Sequence, residues 1–239
     1  MKILLNGASW GCLFYIGVYK AIIERKLEIE ELYGNSAGAL IGLCIVLEKT
    51  LEEALQIYND LAENANKNGV IGKMTKYHNM ALDRLLVNND DYKKVNGKLK
   101  VGITTKKKHI WVDNFKSNEE LRHALHCSFY VPLYCSYYAV YLNEQVLDGG
   151  FGCQLNDLPA NVIKIGMESF FDIASNITTK ECTFPILPGT KYDEIIKNGY
   201  NKMLNYKIPE PTPVSFLHLN HRQLRFLAHL SNLIHHRKY

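Results

Sequence analysis

The chain has 239 residues and a mass of 27.4 kDa, with 47% apolar and 22% charged residues. That composition excludes a disordered, collagen-like or coiled-coil protein and is sufficient for one sizeable core. Lys and Arg total 28 against 24 Asp and Glu, a net charge of +4, a mild excess well short of the basic face of a nucleic-acid binder, so no nucleic-acid partner is expected.

The longest apolar run, Ala37 to Leu47, is shorter than the roughly 18 residues that span a bilayer, so no transmembrane helix is expected. Met1 to Gly7 is too short an apolar stretch for a signal peptide and reads as a first strand. The cysteines, Cys12, Cys44, Cys127, Cys135, Cys153 and Cys182, are scattered without paired or metal-type spacing. That pattern points to a reduced, intracellular setting, cytoplasmic or at a membrane periphery, with no metal site.

In chain order, Lys2 to Asn6 is a β-type run, followed by the loop Gly7-Ala8-Ser9-Trp10-Gly11 and a helical stripe at Phe14, Gly17, Val18, Ala21 and Ile22. The pattern repeats: Glu31 to Tyr33 reads as a strand, Gly34-Asn35-Ser36-Ala37-Gly38 as a turn, and the run to Leu47 as a buried helix. Thr50 with Glu53 forms a capping box that starts a helix with its stripe at Leu51, Ala54, Leu55, Tyr58, Leu61 and Ala62. Lys98 to Thr104 and His109 to Phe115 read as a hairpin around the lysine-rich turn. A second capping box, Ser117 with Glu120, opens a helix through Leu125. Ala139 to Leu147 reads as a single strand ending at Asp148-Gly149-Gly150, and Val162 to Ile165 as another. A helix is expected over 193–205, then the proline-rich linker from Pro209 to Pro213 and a C-terminal helix whose Leu and Phe face is interleaved with His, Arg and Lys. Residues 1–208 are thus expected to form the main domain, with 209–239 as linker and basic amphipathic helix.

Gly34-x-Ser36-x-Gly38 is the spacing of a nucleophile elbow, a tight strand-to-helix turn that lifts a serine hydroxyl off the backbone. A side chain at either glycine would collide with the adjoining strand or helix. The triplet alone is a weak signal, since an ordinary glycine turn can have the same spacing, but its place between a strand and an apolar helix strengthens it. A serine nucleophile needs a base and an oxyanion hole. The backbone N–H groups of the Gly7 to Gly11 loop, after the first strand, would point toward the crevice where the turn lies, although the loop read alone is a short polar connection. Asp148 ends a β-run and is released by Gly149-Gly150, which would leave its carboxylate facing open space; Asp-Gly is also a common turn dipeptide. A Ser-His-Asp triad in the chain order of α/β-hydrolases would need Ser36, Asp148 and a histidine such as His218 or His221. Against it, Ser36 comes after one strand-helix unit, earlier than that fold places its nucleophile, which leaves a Ser-Asp dyad as the better reading.

These three segments together resemble the patatin-like phospholipase family, and within it the adiponutrin and adipose-triglyceride-lipase branch. The resemblance spans about residues 1–166 and includes the stretch Cys127-Ser128-Phe129-Tyr130-Val131-Pro132-Leu133-Tyr134-Cys135. It implies a patatin-type three-layer α/β/α sandwich around a mostly parallel sheet. It also implies a serine hydrolase that cleaves carboxylic esters of lipids, of phospholipase A or acylglycerol lipase type, without metal or cofactor. Carried over by position, Ser36 is the nucleophile, Asp148 the general base, the backbone of Gly7, Ala8 and Ser9 the oxyanion hole, and Gly34, Gly38, Gly149 and Gly150 the supporting glycines. Two departures stand out. The family's first loop is richer in glycine, and an ungapped match puts Ser9 and Cys12 on its second and third glycines, with Gly11 displaced by one. The Asn-x-Pro usual after the Asp-Gly-Gly is replaced by Gln154-Leu155-Asn156. A lipid substrate is expected, with peripheral contact of the C-terminal helix at a membrane or droplet surface; core packing of that helix is the alternative. A catalytically inactive lipid- or partner-binding protein, or an acyltransferase using the same dyad, are the alternative functions.

Overall fold

The first strand, β1 (Lys2–Leu5), is buried at three of its four positions and pairs in parallel with β2 (Glu31–Gly34) on one side. The computed structural model describes residues 1–209, the side chain of Thr179 excepted, and Met1–Tyr206 fold as one unit. The expected C-terminal helix, with His218 and His221, and all but the first residue of the linker lie outside the described residues.

Between β1 and β2 runs α1 (Leu13–Glu24), buried along most of its length. It is followed by α2 (Ala37–Val46), apolar on every side, as a helix enclosed in a core must be. Thr50 accepts a hydrogen bond from the Glu53 N–H and Glu53 accepts one from the Thr50 N–H, so the expected capping box opens α3 (Leu51–Asn68). Then come α4 (Met74–Leu85), α5 (Asp91–Val95), β3 (Leu99–Thr105), β4 (His109–Val112) and α6 (Asn118–Ser128). At α6 the second capping box is only half formed: Ser117 Oγ accepts from Glu120 N–H, but Glu120 turns its carboxylate to the Lys116 N–H. The chain continues through β5 (Val140–Tyr141), β6 (Glu144–Leu147), α7 (Gly149–Gly152), β7 (Val162–Gly166), β8 (Ile173–Ala174) and α8 (Thr190–Asn205).

The single strand expected over 139–147 is instead the β5–β6 hairpin. Leu142 and Asn143 both take positive φ, 49° and 63°, which makes a two-residue turn matched to the twist of its strands. Among the described residues eight strands form one sheet in the order β5-β6-β3-β2-β1-β7-β8, with β4 also paired to β3. Its centre, β3-β2-β1-β7-β8, is parallel, and β4, β5 and β6 add antiparallel pairing at one side.

The architecture is α/β, layered α/β/α around this mostly parallel sheet. Alternation along the strands gives each face its own residues. On one face α2 packs against β1, β2 and β3, beside α1. There α1 and α8 approach closely enough that a Cβ on Gly17 would lie 2.0 Å from the Ile196 carbonyl oxygen, and one on Gly199 2.0 Å from that of Phe14. The other face has a thinner cover: Leu4 and Tyr33 pack with Leu158, Val162 and Phe171, flanked by Trp111 and Leu155. Leu155 belongs to the 3-10 turn Leu155–Asp157, which takes up the departure after the Asp-Gly-Gly as a surface turn. Because β1, β2 and β3 run the same way, the loops leaving their carboxyl ends gather at one edge, and there the candidate residues converge.

Candidate active site

Ser36 stands between the end of β2 and the start of α2 with φ 53° and ψ −129°, a backbone geometry that side chains rarely adopt. The expected collisions of the two elbow glycines are concrete. A Cβ on Gly34 would lie 2.6 Å from the Ala39 Cα, and one on Gly38 2.0 Å from the Leu5 carbonyl oxygen. The turn is tied down on both sides. Ser36 N–H donates to Ser128 Oγ at 2.9 Å, and Asn35 N–H to the Leu5 carbonyl at 3.0 Å. The Asn35 side chain, fully buried, donates to Asn6 Oδ1 at 2.9 Å while its Oδ1 lies 3.1 Å from His109 Nε2.

Asp148 caps α7 and accepts the Gly150 N–H on Oδ1 at 2.9 Å. Its own N–H donates to the Tyr130 carbonyl at 2.8 Å, and Thr104 Oγ1 donates to its carbonyl oxygen at 2.8 Å. The carboxylate does not face open space as the sequence suggested: Asp148 is 5% exposed, and its Oδ2 is buried with no hydrogen-bond partner among the described residues. The glycines do release the chain, but they fold it back as α7 over β3 instead of away from the crevice. Burial pushes the carboxyl pKa up from 3.8 to about 7, with the Ser36 hydroxyl and the Gly150 N–H pulling it down.

The first loop closes over this pair. A Cβ on Gly7 would lie 3.6 Å from the Gly150 Cα, 3.7 Å from the Ser36 Cβ and 3.8 Å from Asp148 Oδ1. The N–H groups of Gly7 and Ala8 donate to no described group, as expected of donors left for a ligand. Ser9 follows at φ 49°, where glycine would be unstrained, and begins the 3-10 turn Ser9–Cys12. Cys12 sits at φ −60°, an ordinary helical value, so a side chain there is accommodated. Gly11 fills a different need: a Cβ on it would lie 2.6 Å from the Cys182 sulfur.

From Ser36 an apolar cavity of about 920 Å³, open solvent at its mouth included, extends between α2, α3 and α4. Its walls include Leu40, Ile57, Leu61, Tyr77, Phe129 and Val131, with the polar edge of His78 among them. Burial lowers the His78 pKa to about 3, so the ring is neutral, and its Nδ1 lacks a partner among the described residues. No described histidine hydrogen-bonds to Ser36. Ser128, Asn35, Asn6, His109 and the cavity wall did not stand out in the sequence as site residues. The one available signal was polar residues inside otherwise apolar segments, Asn35 within the elbow and Ser128 within the Cys127–Cys135 stretch.

Residues 3–161, two thirds of the chain, match the model of the patatin-like phospholipase family. The chain belongs to that family. Relatives of the chain include the omega-hydroxyceramide transacylase of Mus musculus, 34% identical over 161 residues, covering 63% of this chain and 27% of that protein. Human 1-acylglycerol-3-phosphate O-acyltransferase PNPLA3 is 28% identical over 143 residues, covering 54% and 30%. Bovine patatin-like phospholipase domain-containing protein 2 is 27% identical over 167 residues, covering 64% and 34%. The chain thus spans about a third or less of the length of these relatives. Among solved structures, VipD of Legionella pneumophila aligns over 85% of this chain and 66% of its own at 12% identity, with a TM-score of 0.42. Among the described residues no helix is long and apolar enough to cross a membrane, and all six cysteines are free.

Proposed function

We propose that this patatin-like protein is a lipid acyl ester hydrolase acting through Ser36 and Asp148. The observation that carries the reading is the convergence of three features around Ser36: a serine on a strained elbow, a buried carboxylate with an unpartnered oxygen, and a loop with two N–H donors that bond no described group, with the serine itself lining an apolar cavity. Membership of the family supports it.

In the reaction, Ser36 Oγ attacks the ester carbonyl while the Asp148 carboxylate takes the hydroxyl proton. The carbonyl oxygen gains negative charge and is received by the N–H groups of Gly7 and Ala8, with Ser9 the third donor suggested by the family pattern. Collapse expels the alcohol, which leaves with the proton held by Asp148, and an acyl-Ser36 ester remains. Water then gives a proton to Asp148, attacks the acyl carbon through the same oxyanion arrangement, and frees the acid and the serine. The raised Asp148 pKa suits a group that must accept and return a proton near neutrality. The cavity would take the acyl chain.

A second reading shares the first half of this cycle and differs in the acceptor. Two relatives are named for acyl transfer, and acyl-Ser36 could pass its chain to a lipid hydroxyl in place of water.

The test is labelling with a fluorophosphonate, which reports an activated serine whatever the natural substrate, followed by peptide mapping. Labelling at Ser36 that disappears in a folded Asp148→Asn variant is the expected outcome. A well-folded protein that takes no label would refute the hydrolase and the transferase together and leave a lipid-binding role. Adding a lysophospholipid to an active preparation then separates transfer from hydrolysis by the product formed.

A further inference from the structure

We propose that the paired loops 70–76 and 131–138 form a docking surface for a lipid interface, placed at the rim of the Ser36 cavity. The inference rests on the hydrolase reading for its purpose and on separate observations for its location. The two loops are bound to each other along their length. Gly72 N–H donates to the Leu133 carbonyl at 2.8 Å, Met74 N–H to that of Tyr134 at 3.0 Å, and Ser136 N–H to Thr75 Oγ1 at 3.0 Å. Their inward residues Met74, Val131 and Tyr134 line the cavity that holds Ser36. Their outward residues are large and apolar: Ile71 is 63% exposed, and Leu133 and Tyr138 are each 80% exposed.

Leu133 also holds φ at 70°, an uncommon conformation for a bulky side chain, which implies that the surrounding bonds impose it. Strain that leaves a leucine in water has no benefit for the folded chain alone. It is accounted for if the side chain leaves water when the protein meets its substrate. The flanking charges fit the same occupant. Lys67, Lys73 and Lys76 are exposed, and none pairs with an acidic side chain among the described residues; Lys73 reaches only the Asn68 carbonyl. Exposed apolar side chains with unpaired lysines on the same segment, Lys73 and Lys76, and on the helix that enters it, Lys67, suit a membrane or droplet surface with anionic headgroups. A lipid leaving that surface would pass from the outward side chains to the inward ones and then to Ser36.

The experiment measures flotation of the full chain with phosphatidylcholine vesicles, with and without phosphatidylserine, for wild type and the Ile71→Glu/Leu133→Glu double variant. Both substituted side chains are exposed, so folding should survive; a wild-type melting temperature and an unchanged rate of fluorophosphonate labelling would verify it. We expect the bound fraction constant to fall at least about tenfold, as the loss of two inserting apolar side chains requires. Changing Lys67, Lys73 and Lys76 to Gln should weaken binding to the phosphatidylserine vesicles only. Unchanged flotation of the double variant overturns the proposal, as does wild-type protein that labels at Ser36 yet binds neither vesicle. A switch from dimer to monomer on gel filtration with flotation unaltered would assign the patch to a second copy of the chain and also overturn it. Flotation does not depend on turnover, so this proposal and the hydrolase reading can fail separately.

Discussion

Replacing Asp148 with Asn tests whether the buried carboxyl carries the electrostatic load that its surroundings imply. In the folded protein its pKa lies near 7, against 3.8 in the unfolded chain, with burial as the leading cause. The folded state thus binds this proton more tightly than the unfolded state. Its contribution to stability is complete below pH 3.8 and is lost as pH rises through the folded value near 7. At about 1.4 kcal/mol for each decade in proton affinity, the full loss is about 4 kcal/mol, of which more than half falls between pH 5 and pH 8. The total stability of a domain of this size is about 5–15 kcal/mol, so the effect is readily measured. Asn has nearly the same shape and no charge to desolvate, so the variant should lack this component. The assay is urea unfolding of both proteins across pH 5 to 8, read as the difference between them at each pH, which cancels every other titrating group. The variant should gain about 2–3 kcal/mol on wild type across that range, and its serine labelling should be abolished at every pH. A difference that stays constant with pH would show that Asp148 titrates at its ordinary value, and the account of a base tuned by burial would fall with it.

Two further substitutions address the elements that hold the pair in place. Ser128→Ala removes the acceptor of the Ser36 N–H from a fully buried site; it should cost about 1–3 kcal/mol in urea unfolding and slow labelling about tenfold as the elbow relaxes, whereas a labelling rate equal to wild type would mean that the elbow holds without it. Ser9→Gly relieves an exposed residue at φ 49° and should raise stability by about 0.5–1 kcal/mol by denaturant midpoint, and a lower midpoint would show that the serine side chain is needed at that turn.

Local signals of the fold were legible wherever one chemistry determines one geometry. Thr50 and Glu53 satisfy each other's backbone groups, and α3 follows them. Gly34 and Gly38 were readable as the tight turn because the collision they avoid depends on the backbone alone. The hairpin over 139–147 was not, since Leu142 continues the apolar alternation of a strand while adopting a turn conformation. Of the candidate site, Ser36 and Asp148 could be proposed from spacing and family pattern, but not the burial of the carboxylate. That burial comes from the turn of α7 across β3, where Thr104 and Gly102 meet residues more than 40 positions away. The cavity wall was equally hidden. Ile57, Leu61 and Tyr77 have the spacing of helix faces that pack into a core, and only the assembled structure leaves a space beside them.

The placement of β1 between β2 and β7 has a consequence for synthesis. The first strand leaves the ribosome with one neighbour made soon afterwards, but its second, Val162–Gly166, is translated about 160 residues later. Until then Ile3, Leu4 and Leu5 border an open β-edge, and Asn6 lacks the Ile165 carbonyl that anchors the loop behind it. Until Val162–Gly166 is made, the nascent chain therefore carries an apolar strand open along one side, the kind of edge that invites wrong partners. Chains cut short before residue 166 should collect in aggregates or on chaperones even though Ser36 and Asp148 are both present, because the strand that bears the loop has nothing to close it.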